Sequence, residues 1–292
     1  MTLDENLQLL RTTKQNIKTA LNDKIPESAD NKPFGEYHYI VDGFKQGSNN
    51  IEDYTITDTT RLNEYTGDSF TLINHIKSVN IPTTVTSLDY NCFSSCTSLT
   101  SITIPYGVIS LLSSCFKNCT SLSAVTIGNS VTSIYDYCFN GCSRLTSVTI
   151  PDSVTSLGKY CFQYCSGLTE VTIGNSVTSL GNYCFDGCSG LTSVNIPNGV
   201  TSIGDTCFQH CSSLSAVTIG NSVTSIGNYC FYKCSGLTSV TCKATTPPTL
   251  GSYVFSSTPS TLVIYVPADS VDAYKAATNW SSYADRIHAI AL

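Results

Sequence analysis

From residue 81 onward, apolar and polar positions recur in a fixed order with a period of 23 residues. Units open at Ile81, Ile104, Ile127, Ile150, Ile173, Ile196 and Ile219. Each follows I-P/G-x-x-V-T-S-L/I-x-x-x-C-F-x-x-C-S/T-x-L-T/S-x-V/I-T/N. Leu145, Val148 and Ile150 are spaced by three and then by two, which predicts a half-buried strand. Val154 and Leu157 form a second apolar pair, with Thr155 and Ser156 between them. Cys161, Phe162 and Cys165 fall within about one helical turn, and turn residues follow. Every unit therefore predicts a strand, a second extended stretch and a short helical turn. One unit cannot bury its apolar face alone, so neighbours must stack, with strands pairing in parallel about 4.8 Å apart.

The ends of the array are degenerate, as caps should be. Residues 58–80 keep the phase without cysteines, with Phe70 at the Phe position and Ile73 at the second Cys position. After Cys242, "TPPTLGSYVF" and "TLVIYVP" read as a last, altered unit. "ADSVDAYKAA" predicts a helix with Asp269 or Ser270 as its N-cap, shielding the open edge of the last unit.

The L-x-x-L-x-L rhythm is that of leucine-rich repeat strands. "FxxCSxLTSVTIPxSVTSIG" and the ending "TPPTLGSYVF…VYVPADSVDAYKAATNWSSYADRI" (here "VIYVP") resemble the BspA-like leucine-rich repeats of bacterial and protozoan surface proteins, over about residues 58–292. The resemblance implies a leucine-rich repeat solenoid. Such a fold is a right-handed, curved β/α-type superhelix with a parallel β-sheet and short helical or 3-10 turns. The expected division is an N-terminal helical docking segment (1–57), a degenerate cap repeat (58–80), seven repeats (81–241), and a degenerate repeat with a cap helix (242–292). One departure stands out. The family usually carries a small residue such as Ala before Phe, where this chain has Cys in all seven units.

Of the 15 cysteines, seven precede Phe, seven follow it by three residues, and Cys242 replaces the first Ile of a unit. Free Cys packs as a small buried hydrophobe, and a ladder position needs the same small volume in each unit. Buried reduced thiols are therefore the expectation. Disulfides fit poorly, because a ladder of seven members cannot pair completely. Zinc fits poorly too, because metal sites are local and this pattern repeats without a break. His210 is the only histidine in the seven units.

Charged residues make up only 12% of the chain and the net charge is −6. A nucleic-acid partner would want a basic face. No apolar run reaches the length of a membrane-spanning helix. The start "MTLDENLQLLRTTKQNIKTALNDK" lacks the basic start, apolar block and cleavage site of a signal peptide. Either the protein is not exported by that route, with a cytoplasmic or particle-associated location as the alternative to the cell surface, or a leader has been removed. Leu7, Leu10, Ile17 and Leu21 make this segment an amphipathic helix suited to docking or oligomerisation. No phosphate loop, H-E-x-x-H or G-x-S-x-G motif occurs, and a Cys211–His210 nucleophile pair would sit at a core position. No enzyme activity and no cofactor are expected.

Two surfaces offer binding residues. The strands expose hydroxyls at Thr100, Thr103, Thr126, Thr146, Thr149, Thr169, Thr172, Thr192 and Thr218, with Asn195 in the same series. This face suits weak, multivalent contact; its regular threonines also invite ice binding, which nothing else in the chain supports. Tyr137, Tyr160, Tyr183 and Tyr229 form a second stripe before each Cys-Phe pair, with Tyr164, His210 and Tyr232 on the next turn. Amphipathic rings suit glycan or protein contact. The pair after Phe varies most between units. The leading expectation is a non-enzymatic recognition or adhesion protein at the cell surface, with a protein or glycan partner. This rests on the resemblance, since the family is implicated in attachment. The rival is a spacer or assembly subunit, held through residues 1–57.

Overall fold

The computed structural model describes residues 53–55, 61–62 and 76–291. They form a parallel β-solenoid whose coils have three sides. The first side is a strand of three or four residues, such as Ser147–Thr149, Glu170–Thr172 and Ser193–Ile196. The second is a strand of two residues, Ser156–Leu157, Ser179–Leu180 and Ser202–Ile203 in these coils. The third carries Cys-Phe-x-x-Cys.

Register equals repeat length, so each residue meets its equivalent in the next coil. Val171 pairs with Val148, and Ser179 with both Ser156 and Ser202. Among the described residues the two-residue strands form one nine-stranded sheet, from Arg61–Leu62 to Thr249–Leu250. Identical side chains stack into columns, and Leu145, Leu168, Leu191 and Leu214 are fully buried. Parallel pairing also reaches back to Asp53–Thr55, which lies against Ser78–Asn80 within the segment expected to dock or oligomerise. Phe70, Ile73 and the expected N-terminal helix lie outside the described residues.

The third side differs from expectation. Tyr160 and Tyr164 adopt left-handed φ values of 59° and 61°. A right-handed helical turn cannot pass through such residues, so the segment is two successive turns. These are closed by Gln163 N–H to Tyr160 O and by Cys165 N–H to Phe162 O, both 3.2 Å. Left-handed backbone costs roughly 1–2 kcal/mol at a non-glycine residue. What offsets it is a complete set of bonds to the next coil. The N–H groups of Tyr160, Phe162 and Tyr164 donate to the carbonyls of Asn182, Cys184 and Asp186 at 2.9, 2.8 and 2.8 Å. Alternate donors thus bond within the coil and across it, and a helical turn would have lost the second set.

Helical elements among the described residues lie in the C-terminal cap: 3-10 turns at Ala268–Ser270 and Trp280–Arg286, and an α-helix at Val271–Ala276. Ser270 precedes that helix, but its hydroxyl donates to the Thr245 carbonyl (2.8 Å) instead of capping. Just past the helix, Asn279 Nδ2 and Trp280 Nε1 donate to the carbonyls of Leu250 and Pro248, at 2.6 and 2.7 Å, beside the last strand of the nine-stranded sheet. Strand Ile287–Ala289 adds a further rung against Val263–Val266. Rings close the core: Tyr274 and Trp280 are fully buried, and Tyr283 meets Phe255 edge-on at 5.3 Å.

Candidate functional site

Fourteen of the cysteines form the inner wall of the third side, and Cys242 lies on the first side in strand Ser239–Cys242. All fifteen are buried free cysteines. Between their two ladders runs a phenylalanine stack, Phe93 to Phe255, with ring centres 5.2–5.6 Å apart. The second Cys of a unit is more than a small hydrophobe. The thiol of Cys165 donates to the Phe139 carbonyl at 3.2 Å, and Cys142, Cys188, Cys211 and Cys234 repeat the contact. Burial pushes the thiols of Cys138, Cys165, Cys207 and Cys230 well above the ordinary thiol range. They are neutral and poor nucleophiles. Cys211 aims its sulfur at Phe185 O while His210 turns to Asp186, so these two do not face each other. Among the described residues no group of three or more His, Cys, Asp or Glu side chains could hold a metal ion.

On the long-strand face, Thr100, Thr103, Thr126, Thr146, Thr149, Thr169, Thr172, Thr192 and Asn195 are exposed, and Thr218 is half-buried. They separate into two columns with different chemistry. The hydroxyls of Thr100, Thr146, Thr169 and Thr192 each donate to a carbonyl of the previous coil, at 3.0–3.4 Å. Their donor is spent on the scaffold. Thr103, Thr126, Thr149, Thr172, Asn195 and Thr218 sit three residues beyond the donor of their own coil and point outward from the strand.

On the turn face, Tyr137, Tyr160 and Tyr183 stack in parallel, with ring centres 4.6 and 4.7 Å apart and planes within 9°. Desolvation, then the flanking Tyr137 and Tyr183, raises the Tyr160 hydroxyl above the ordinary phenol range. Tyr229 stacks on Tyr253 at 5.2 Å and meets Tyr232 edge-on at 5.5 Å. Beside this ladder runs a chain of buried polar side chains. Asn140 Nδ2 donates to Gln163 Oε1 (3.0 Å), and Gln163 Nε2 to Asp186 Oδ2 (2.9 Å). Asp186 Oδ1 lies 3.2 Å from Nδ1 of the half-exposed His210. Tyr164 lies flat across Gly187, where a Cβ would come within 2.6 Å of its ring. Aromatic and titratable side chains therefore concentrate on this face, from Tyr164 to Lys233.

At the corner between the short strands and the turn face is a cavity of about 420 Å³. Gly204, Gly227 and Gly251 form its floor, and Asn182, Asp205, Asn228, Ser202 and Ser225 line it. Coils approach too closely for side chains at the floor: a Cβ at Gly204 would lie 2.6 Å from the Asn182 nitrogen. The asparagine and aspartate ladder secures the wall. Asn182 Oδ1 accepts the Asp205 N–H at 3.0 Å, and Asp205 Oδ1 accepts the Asn228 N–H at 2.6 Å.

Sequence reasoning placed Tyr137, Tyr160, Tyr183 and Tyr229 in one column, and the structure brings the first three into contact. It missed Asn140, Gln163 and Asp186. Their shared position directly after Phe was the available signal. It also missed the two classes of threonine, which only the backbone partner distinguishes.

The BspA type leucine rich repeat region, in six copies, matches residues 42–169 and 155–281. No curated protein matches the chain. Among solved structures, a T. pallidum leucine rich repeat protein is 25% identical with a TM-score of 0.51, over 56% of this chain and 79% of its own. A leucine rich cell surface protein from Faecalibacterium prausnitzii is 26% identical with a TM-score of 0.51, over 73% of this chain and 70% of its own. Shared phase, shared coil architecture and a matched region spanning most of the sequence place this chain in the family of BspA-type leucine-rich repeat proteins.

Proposed function

We propose that this protein is a non-enzymatic recognition or adhesion protein, displayed at the cell surface, that presents its turn face and outer strand face to a protein or glycan partner. The observation that carries this reading is the contrast between an invariant interior and a turn face that changes from coil to coil. Position after position repeats in the apolar core, yet the pair after Phe reads "KN", "NG", "QY", "DG", "QH" and "YK" in successive units, its first member buried in Asn140, Gln163 and Asp186 and its second exposed in Asn118, Tyr164, His210 and Lys233. A pure spacer has no use for that variety. The similar Faecalibacterium protein is a cell surface protein, which supports the location. Buried neutral thiols leave no activated cysteine for catalysis.

Surface display is tested by protease shaving of intact source cells, followed by peptide mass spectrometry. Release of "FQYCSGLTEVTIGNSVTSLGNYCF" from intact cells is the expected result. Recovery only from cytosol or from particles would overturn the reading and favour an assembly subunit.

A further inference from the structure

The chain carries two Asn-Gly pairs, Asn140-Gly141 on the turn face and Asn198-Gly199 at the corner between a long and a short strand. An asparagine followed by glycine can close into a ring. The glycine nitrogen attacks the side-chain carbonyl carbon, and no Cβ on the glycine stands in the way. The fold treats the two pairs in opposite ways. Asn140 is buried, and both of the groups that would react are tied. Its Nδ2 donates to Gln163 Oε1 at 3.0 Å, and the Gly141 N–H donates to the Gln163 carbonyl at 2.8 Å.

Asn198 is exposed. Asn198 and Gly199 are the central residues of a turn closed by Val200 N–H to Pro197 O at 3.1 Å. Among the described residues no backbone carbonyl accepts the Gly199 N–H. Asn198 Oδ1 accepts the N–H of Asn221, in the next coil, at 3.1 Å. A donor at that oxygen stabilises the negative charge that builds there when the carbonyl carbon is attacked.

We propose that Asn198 is a spontaneous modification site: its side chain closes onto Gly199 and hydrolyses to aspartate and isoaspartate, while Asn140 stays an amide. Solvent base removes the Gly199 amide proton, and the nitrogen bonds to Asn198 Cγ. The Cγ–Nδ2 bond then breaks, and ammonia departs with a proton from water. A five-membered succinimide now joins the two residues. Water opens this ring at either carbonyl. Opening at Cγ leaves aspartate; opening at the main-chain carbonyl leaves isoaspartate, with the chain running through the former side chain. The net change is amide plus water to carboxylic acid plus ammonia, and nothing is oxidised or reduced.

The neighbouring coils show which product the fold accommodates. Asp152 occupies the equivalent position two coils earlier, and its Oδ1 accepts the Asn175 N–H at 2.6 Å, as Asn198 accepts that of Asn221. Aspartate at position 198 thus fits a rung already in use and adds a negative charge at the corner. Isoaspartate lengthens the main chain by one methylene between Ser193–Ile196 and Ser202–Ile203. That pulls at the bond from Thr201 N–H to Thr178 O, which is 2.8 Å long. A Cβ at Gly199 would overlap the Asn175 carbonyl oxygen, so this coil cannot take the serine found at Ser153, Ser176 and Ser222 without moving the coil before it. The chemistry needs only this turn and does not depend on the recognition reading.

The test is peptide mapping of the full chain after incubation at mildly alkaline pH, folded and in urea. Electron-transfer fragmentation separates aspartate from isoaspartate. In the folded chain, "TSVNIPNGVTSIGDTCF" should gain the amide-to-acid mass increment at a rate within tenfold of the unfolded chain. The Asn140 peptide should gain it at least tenfold more slowly folded than unfolded. Asn198→Gln, which cannot close the five-membered ring, should keep its mass. Asn198→Asp carries the aspartate product and should melt as wild type does. The proposal is overturned if folded Asn198 keeps its amide while the unfolded chain loses it. It is also overturned if folded Asn140 reacts as fast as Asn198, or if Asn198→Gln still gains the increment. An Asn198→Asp chain that fails to fold would overturn the accommodation of the aspartate product.

Discussion

The long-strand face and the turn face are built on the same 23-residue rhythm, yet they handle their polar groups in opposite ways. On the strand face, a Thr or Ser hydroxyl in each coil bonds to the backbone of the coil before it, as Thr169 does to Thr146 O at 3.0 Å. Each rung satisfies itself and looks like the next. On the turn face, side chains bond to side chains: Asn140 to Gln163, Gln163 to Asp186, Asp186 to His210. Each of these links needs a particular partner in the neighbouring coil. Repetition thus suffices for the scaffold, whereas individuality is confined to the face whose backbone bonds are already complete. Evolution can vary Gln163 or His210 there without touching the ladder of N–H to C=O bonds beneath.

The largest expected effect tests the interior that both faces share. The thiols of Cys115, Cys138, Cys161, Cys184, Cys207 and Cys230 in one ladder, and of Cys119, Cys142, Cys165, Cys188 and Cys211 in the other, are raised above the ordinary thiol pKa of 9.0, chiefly by burial. Folded thiols stay protonated where unfolded ones ionise, so the unfolded state gains stability as pH climbs past the unfolded pKa. Each buried thiol costs about 1.4 kcal/mol per pH unit there, so the ladders together cost on the order of 10 kcal/mol per unit. Total stability of a domain is only about 5–15 kcal/mol. Urea midpoints should be flat from pH 7 to 8.5 and collapse above pH 9. Midpoints that hold to pH 10.5 would mean the ladders are not protonated thiols.

Next in size is Phe162→Ala, which removes a ring stacked on Phe139 and Phe185 at 5.2 and 5.3 Å. A cavity there should cost about 3–5 kcal/mol by equilibrium denaturation. Val148→Ala, beneath the strand face and 3% exposed, removes less volume and should cost about 1–2 kcal/mol. Equal costs would erase the distinction between the two walls.

Asp186→Ala strikes the polar chain. It leaves the Gln163 amide and His210 without their acceptor inside a nearly closed surface, at a cost of about 1–3 kcal/mol. Asp186→Asn keeps an acceptor for Gln163 and should recover part of that loss. If both variants melt like wild type, the polar chain is decoration and the turn face resembles the strand face after all.

The coil phase was legible in the sequence because Leu145, Val148, Ile150 and Phe162 recur at one spacing and must share one core. The turn conformation was not. Tyrosine has no preference for left-handed backbone, and the bonds that compensate come from residues 22 positions away; the column of Tyr164 did carry a signal in its equivalents Asn118, Gly141 and Gly187, residue types that favour positive φ, which the reading of single units passed over. Gln163 and Asp186 could have been paired by their column, but His210 lies 24 residues from Asp186, one step off the repeat, and no periodic reading finds it. The volume argument for cysteine was sound as far as packing goes. It did not reveal that the Cys165 sulfur donates to Phe139 O, because that requires knowing which carbonyl faces the ladder.

The smallest effect draws the finest line, within one face. Thr169 and Thr172 belong to the same coil and both are exposed. Thr169 donates to the Thr146 carbonyl and is itself the acceptor for Thr192, so it stands in the middle of a hydroxyl-to-backbone ladder. Thr172 projects from the strand as part of the outer column. Valine matches the shape and strand preference of threonine, so each substitution removes only the hydroxyl. Thr169→Val should cost about 0.5–1 kcal/mol, the net value of one such bond. Thr172→Val should change stability by less than about 0.5 kcal/mol. A measurable loss of partner attachment, if the strand face takes part in recognition, should follow the opposite order, since only Thr172 still has a donor to offer. Two variants that differ by three residues in position would then separate the hydroxyls that build the solenoid from those that face outward from it.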